Sequence, residues 1–115
     1  MDIESFRTYC LLKEGVTESF PFDADTLVMK VSGRIFALTS LSDSFSINLK
    51  CDPERAIELR ERHPCIIPGY HMNKIHWNTV IIDGSLNDVF LEELIDHSYA
   101  LVAAGSRKKK PLRDT

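Results

Sequence analysis

Two runs of strand-forming residues, TLVMKV and RIFALT, stand on either side of Ser32-Gly33, and this arrangement constrains the fold more than any other in the chain. Glycine tolerates the positive φ that a tight hairpin turn needs, so the spacing predicts two antiparallel strands joined by two residues. Such a turn pairs Val31 with Arg34, Met29 with Phe36 and Leu27 with Leu38, and places Leu27, Met29, Val31, Phe36 and Leu38 on one face. A third strand follows in SFSINLKC, where Phe45, Ile47, Leu49 and Cys51 alternate strictly with Ser44, Ser46, Asn48 and Lys50. That alternation predicts an antiparallel strand with one wet face.

Helices are expected before, between and after these strands. Asp2 caps a first helix in which Ile3, Phe6 and Cys10 recur at helical spacing and Gly15 supplies a stop. TESFPFDAD reads as a loop, because Pro21 breaks continuation and Asp23 and Asp25 favour turns. Asp52-Pro53 is a cap and first-position pair that starts a short, charged helix through ERAIELRER, ending near His63 because Pro64 follows. HWNTVII predicts a fourth strand, and Asp83-Gly84 a turn. Ser85 and Asp88 resemble a capping box opening a long helix from about Leu86 to Ala104, with Leu86, Val89, Phe90, Leu94, Ile95, Leu101 and Val102 as its apolar face and Gly105 as its stop. Strands and helices do not alternate regularly, so the class expected is α+β: an antiparallel β-sheet with an N-terminal, a middle and a long C-terminal helix packed on it.

The 115 residues suit one domain, read here as residues 1–105 followed by a basic, flexible tail over residues 106–115. No apolar run reaches the roughly eighteen residues a membrane span needs, and the acidic start MDIESF is unlike a secretory signal, so a cytoplasmic chain without membrane partners is expected. Cys10, Cys51 and Cys65 are odd in number and widely spaced, which suggests neither a disulfide framework nor a zinc site. The net charge of −3 conceals a polarity: residues 1–25 hold six acids and two bases, whereas residues 105–115 hold five bases and one acid.

The stretch PGYHMNKIHWNTVIIDG is dense in reactive and stackable residues. His71 and His76 are five apart, with Asp83 as the nearest carboxylate, which is a poor metal set, and no metal or cofactor is expected. Packing accounts for it if Pro68-Gly69 forms a type II turn and Trp77 is a buried anchor. A contact surface is the competing reading, since Arg60 to Trp77 holds three bases, one acid, three histidines and two large aromatics. With Trp77 buried, His76 and Asn78 on the other face of the strand would be exposed. Cys65 near His63 and His71 reads as a structural thiol, Glu92 and Glu93 as solvent-facing, and Ser98 as bonding a carbonyl one turn back or packing closely on the sheet. No phosphate loop or nucleophile elbow is present, and no catalytic residue is assigned.

FPF, the MKVSGRIFAL hairpin, PGYHMNKIHWNTVIIDG and LEELIDHSYALV together resemble the MmcQ/YjbR-like family of small bacterial proteins, over nearly the whole chain. The resemblance implies an α+β domain with a central antiparallel sheet, described as a double wing, with DNA binding inferred from shape; the fold is also similar to that of secretion chaperones. A lysine commonly follows the hairpin glycine in that family, where this chain has Arg34. The expected function is therefore non-catalytic DNA binding through weak phosphate contacts by Arg34, Lys74, His76 and Asn78 on the body and Arg107, Lys108, Lys109 and Lys110 on the tail. The alternative is a chaperone-like module that binds another protein. That alternative draws on a pI of 5.8, far from the strongly basic value of a dedicated DNA binder. A monomer is favoured.

Overall fold

A computed structural model describes residues 1–42, 44–69 and 72–108, the last three as backbone only. The elements run α1 (Ile3–Leu11), β1 (Val16–Ser19), β2 (Thr26–Val31), β3 (Arg34–Ser40), β4 (Ser46–Lys50), α2 (Pro53–Arg62), β5 (Ile66–Pro68), β6 (Trp77–Ile81) and α3 (Asp88–Lys108). All strands join one antiparallel sheet in the order β1-β2-β3-β4-β6-β5. This is the expected α+β arrangement, with two additional strands. Both are short and both are edges: VTES, whose last three residues the sequence pattern assigns to the loop, and IIP, which carries no alternation.

Local chemistry explains the helix starts. The Asp2 side chain accepts from the Ser5 amide at 2.8 Å while the Ser5 hydroxyl accepts from the Asp2 amide at 3.0 Å, a reciprocal capping box. Asp52 caps α2, with Pro53 in its first turn. The start of α3 differs from expectation: Asn87 is the cap, its Oδ1 accepting from the Phe90 amide at 2.8 Å. Ser85 is committed to Asp83 instead, donating through both its amide and its hydroxyl. Gly105 does not end this helix, which continues to Lys108.

The three helices place Phe6 and Cys10, Ala56 and Leu59, and Leu91, Leu94, Ile95, Val102 and Ala103 in one core cluster with Leu27, Met29, Val31, Ile47, Leu49 and Val80 of the sheet. Val89, expected on the apolar face of α3, points to solvent. Burying such a set removes most of the chain's large aliphatic surface from water and is the main force holding helices to sheet. Among the described residues no helix is long and apolar enough to cross a membrane.

The hairpin turn is as expected, with Ser32 and Gly33 both at positive φ and Val31 opposite Arg34. The register beyond it is not. A bulge follows Lys30↔Ile35, so that Met29 faces Ala37, not Phe36, and Leu27 faces Thr39, not Leu38. The extra residue is Phe36, which turns into the core beside Ala37, and Leu38 moves to the second face of the sheet, where it is half-buried. Residues of that second face include Val28, Lys30, Ile35, Leu38, Asn48, Lys50, Trp77 and Thr79. It is drier than alternation predicts: Asn48 and Thr79 are buried there, the Thr79 hydroxyl donating to Asn48 Oδ1 at 2.6 Å.

Candidate functional site at the open end of the sheet

The bulge at Phe36 has a structural sequel. Strands β3 and β4 pair through Ala37↔Leu49 and then separate, leaving Phe36 and Lys50 without each other. Ser98 of α3, fully buried, fills the gap: its Oγ accepts from the Lys50 amide at 2.8 Å and donates to the Phe36 carbonyl. One hydroxyl thus replaces a missing rung of the ladder and fixes the helix against the split. Of the two alternatives for Ser98, close packing on the sheet is the one realised. Tyr99 reinforces it, stacking edge-on against Phe36 at 5.4 Å and donating to the Glu14 carbonyl at 2.6 Å.

Where the strands part, a groove of about 380 Å³ opens. Arg34 and Ile35 of β3, Lys50 of β4, Met72 and Trp77 form part of its lining. Leu101, Val102 and Gly105 of α3 also line it. Among the described residues its lining is apolar except for two cations. Trp77 is buried as expected, though on the second face of the sheet and not within the helix-covered cluster.

Charge is distributed unevenly around this end. Four cations of the body are matched to acids: Arg7 with Glu18, Lys13 with Asp96, Arg55 with Glu93 and Arg62 with Glu58. Among the described residues Lys30, Arg34, Lys50, Arg60 and Lys74 have no carboxylate partner. Lys30 faces Ile35 across the hairpin, Arg34 closes that hairpin, and Lys50 faces Trp77. Three of the five therefore belong to one neighbourhood. Gly105 of the groove is followed in the chain by SRKKK.

The dense stretch from Pro68 to Gly84 is chiefly a corner of packing. Gly69 lacks the positive φ of a type II turn; it donates to the Trp77 carbonyl at 2.8 Å instead. Glycine is required there because a Cβ would lie 2.8 Å from Trp77 Cβ and 2.9 Å from Trp77 O. Asn73 Oδ1 accepts from the Ile75 and His76 amides, shaping the turn into β6. Arg60 of α2 ties this segment down, donating to Asn78 Oδ1 at 2.8 Å and to the Lys74 carbonyl at 2.7 Å.

This network corrects one candidate and recasts another. Asn78 does point away from Trp77, but that is the helix-covered face, where it is 2% exposed and donates to the Ala56 carbonyl. It cannot reach a phosphate. Lys74 is exposed, yet its Nζ donates to the Gly69 carbonyl at 3.0 Å, a tether across the corner. Arg34 and His76 are exposed. Lys109 and Lys110, and the side chains of Arg107 and Lys108, lie outside the described residues, as do Tyr70 and His71. Lys30 and Lys50 were missed. Alternation did place Lys50 on the face opposite the core, but only the register and the path of α3 bring it to Trp77 and the hairpin end.

The three thiols and the Ser98 hydroxyl are withdrawn from solvent. Burial pushes the Cys10 thiol up to about 12 and the Cys51 thiol up to about 11. Cys65 is also buried, and the Ser98 hydroxyl is spent on two backbone groups. His97 links α3 to the start of α2, its Nε2 accepting from the Asp52 amide at 3.2 Å. Burial, aided by Arg55, lowers its pKa below the ordinary 6.5. An imidazole that resists protonation when folded favours the unfolded chain in acid, so this contribution to stability is held above about pH 6.5 and lost as pH falls through the lower, folded-state value. Urea unfolding measured across this range is expected to show the loss, and His97→Gln, which keeps an acceptor without a titrating ring, is expected to flatten the slope relative to the parent.

A helix-backed, six-stranded antiparallel sheet with a cation-flanked apolar groove at one end defines a small α+β module. A family model described as YjbR matches residues 11–101, and the chain belongs to that family. It is 37% identical over 100 residues to the protein YjbR of Escherichia coli K12, covering 86% of this chain and 85% of the relative. It is 39% identical over 95 residues to YbdF of Escherichia coli O157:H7, covering 82% and 78%. Among solved structures, protein DR2400 of Deinococcus radiodurans, a DUF419 domain, superposes with a TM-score of 0.83 at 44% identity, covering 87% of this chain and 77% of that one. A Pseudomonas syringae protein superposes with a TM-score of 0.78 at 30% identity, covering 89% and 99%.

Proposed function

We propose that this chain is a non-catalytic, nucleic-acid-associated protein that makes weak, sequence-independent contacts with backbone phosphates through the open end of its sheet. The observation that supports this most directly is the group of cations that lack an acid partner among the described residues of an acidic body: Lys30, Arg34 and Lys50 share that end, and the basic run from Arg107 follows the groove-lining Gly105. A phosphate polyanion is the partner such unpaired charges attract most strongly. The muted thiols and the committed serine agree with a binding role.

Titration against random DNA at two salt concentrations tests the reading. With about four phosphate contacts, affinity is expected to fall roughly a hundredfold between 50 and 200 mM salt. Removing residues 106–115 and, separately, making the double change Arg34→Glu with Lys50→Glu are each expected to weaken binding and flatten the salt slope. Absence of binding at low salt would refute the proposal. It would then favour the protein-interaction reading, for which the exposed Phe20 and Phe22 are the observation on hand.

A further inference from the structure

We infer that the groove at the end of the sheet receives one unpaired nucleotide, its base against the apolar lining and its phosphate on Arg34 and Lys50, so that the preferred ligand is a single-stranded nucleic acid. The inference rests on the nucleic-acid reading above and narrows it to one substrate class.

Three observations carry it. The volume of about 380 Å³ falls at the small end of the range for small-molecule sites, roughly 300 to 1,000 Å³, and is far too small to seat a double helix. Among the described residues the lining pairs an indole, a thioether and aliphatic side chains with two cations and no acid, which is complementary to a flat ring joined to an anion. Arg34 and Lys50 have no carboxylate partner among the described residues, so they can meet a phosphate without breaking an ion pair. A duplex offers its phosphates to such a site but keeps its bases stacked, and extruding one carries an unpairing penalty that a single strand avoids. The apolar part of the groove can be used only by a strand whose bases are free.

Trp77 is the only tryptophan of the chain and lines the groove, so its emission reports occupancy directly. The full chain is titrated at low salt with (dT)8, (U)8, an abasic strand of the same length and an eight-pair duplex. Either base-bearing single strand is expected to quench Trp77, the stronger quencher identifying the preferred sugar, and to bind roughly tenfold more tightly than the abasic strand. The duplex is expected to leave the emission unchanged. Gly105→Leu provides the blocked groove: a Cβ at Gly105 meets nothing within 4 Å, so the added side chain enters open space, and a thermal melt checks that the fold is kept. In that variant the tenfold preference and the quenching disappear while affinity for the abasic strand remains. If all strands bind alike and Trp77 is silent, or if Gly105→Leu changes nothing, the groove inference falls and the phosphate-binding reading stands. If none of the four binds, both fall.

Discussion

Ser98→Ala is expected to lower the unfolding free energy by about 2–4 kcal/mol and the melting temperature by about 10–20 °C. The hydroxyl is small, but the groups it serves cannot find replacements. The Lys50 amide loses its acceptor and the Phe36 carbonyl its donor, at a point where β3 and β4 have already separated. The site is fully buried, away from solvent that could take the place of the hydroxyl. Each orphaned group costs about 1–3 kcal/mol, and the expected loss takes the lower part of the sum for two. Circular dichroism melts give the magnitude, and amide exchange gives the mechanism: the Lys50 N–H should change from slow to fast exchange ahead of its neighbours. A loss below about 0.5 kcal/mol would mean that the two strands can close on each other without the helix.

Gly69→Ala is the second substitution with a large effect, and its cause is different. The added carbon would sit 2.9 Å from the Trp77 carbonyl oxygen, the same atom that accepts the Gly69 amide at 2.8 Å. Relief requires the backbone of the corner to move away from β6, which forfeits that hydrogen bond and disturbs Trp77. A loss of about 2–3 kcal/mol is expected, with a red shift of tryptophan emission as the indole becomes wetter. Gly105→Ala supplies the contrast. There the new carbon meets nothing within 4 Å and lies in the body of α3, so helix propensity alone acts and stability should rise by up to about 1 kcal/mol. Were both alanines neutral, the close approach at Gly69 would not be what fixes the corner.

Local signals in the chain were legible and non-local ones were not. Asp2, Asp52-Pro53 and Ser32-Gly33 act within three residues of themselves, so capping and turn chemistry placed α1, α2 and the hairpin tip directly. Strand β4 alternates strongly enough to be read alone. Strands β1 and β5 exist because β2 and β6 offer them a ladder, and neither VTES nor IIP has a pattern of its own. The bulge at Phe36 arises from tertiary demand: both Phe36 and Ala37 are pulled into the core, which a regular register forbids. For the candidate site, the exposure of Arg34 was legible from the turn, whereas the burial of Asn78 depends on Arg60 of a different element. Lys50 could be assigned a face but not neighbours, because the groove forms only where α3 crosses the parted strands. A serine amid the apolar positions of a long helix was the one available hint of that crossing.

The rims of the sheet bear on how the molecule behaves at high concentration. Strand β1 spans four residues and β5 only three, the last of them Pro68, which has no amide hydrogen to offer. An incoming extended segment would find few free groups on either border and little length over which to zip. Open-ended stacking of copies edge to edge therefore has almost nothing to start from, even though the interior of the sheet is long, aliphatic and well suited to it.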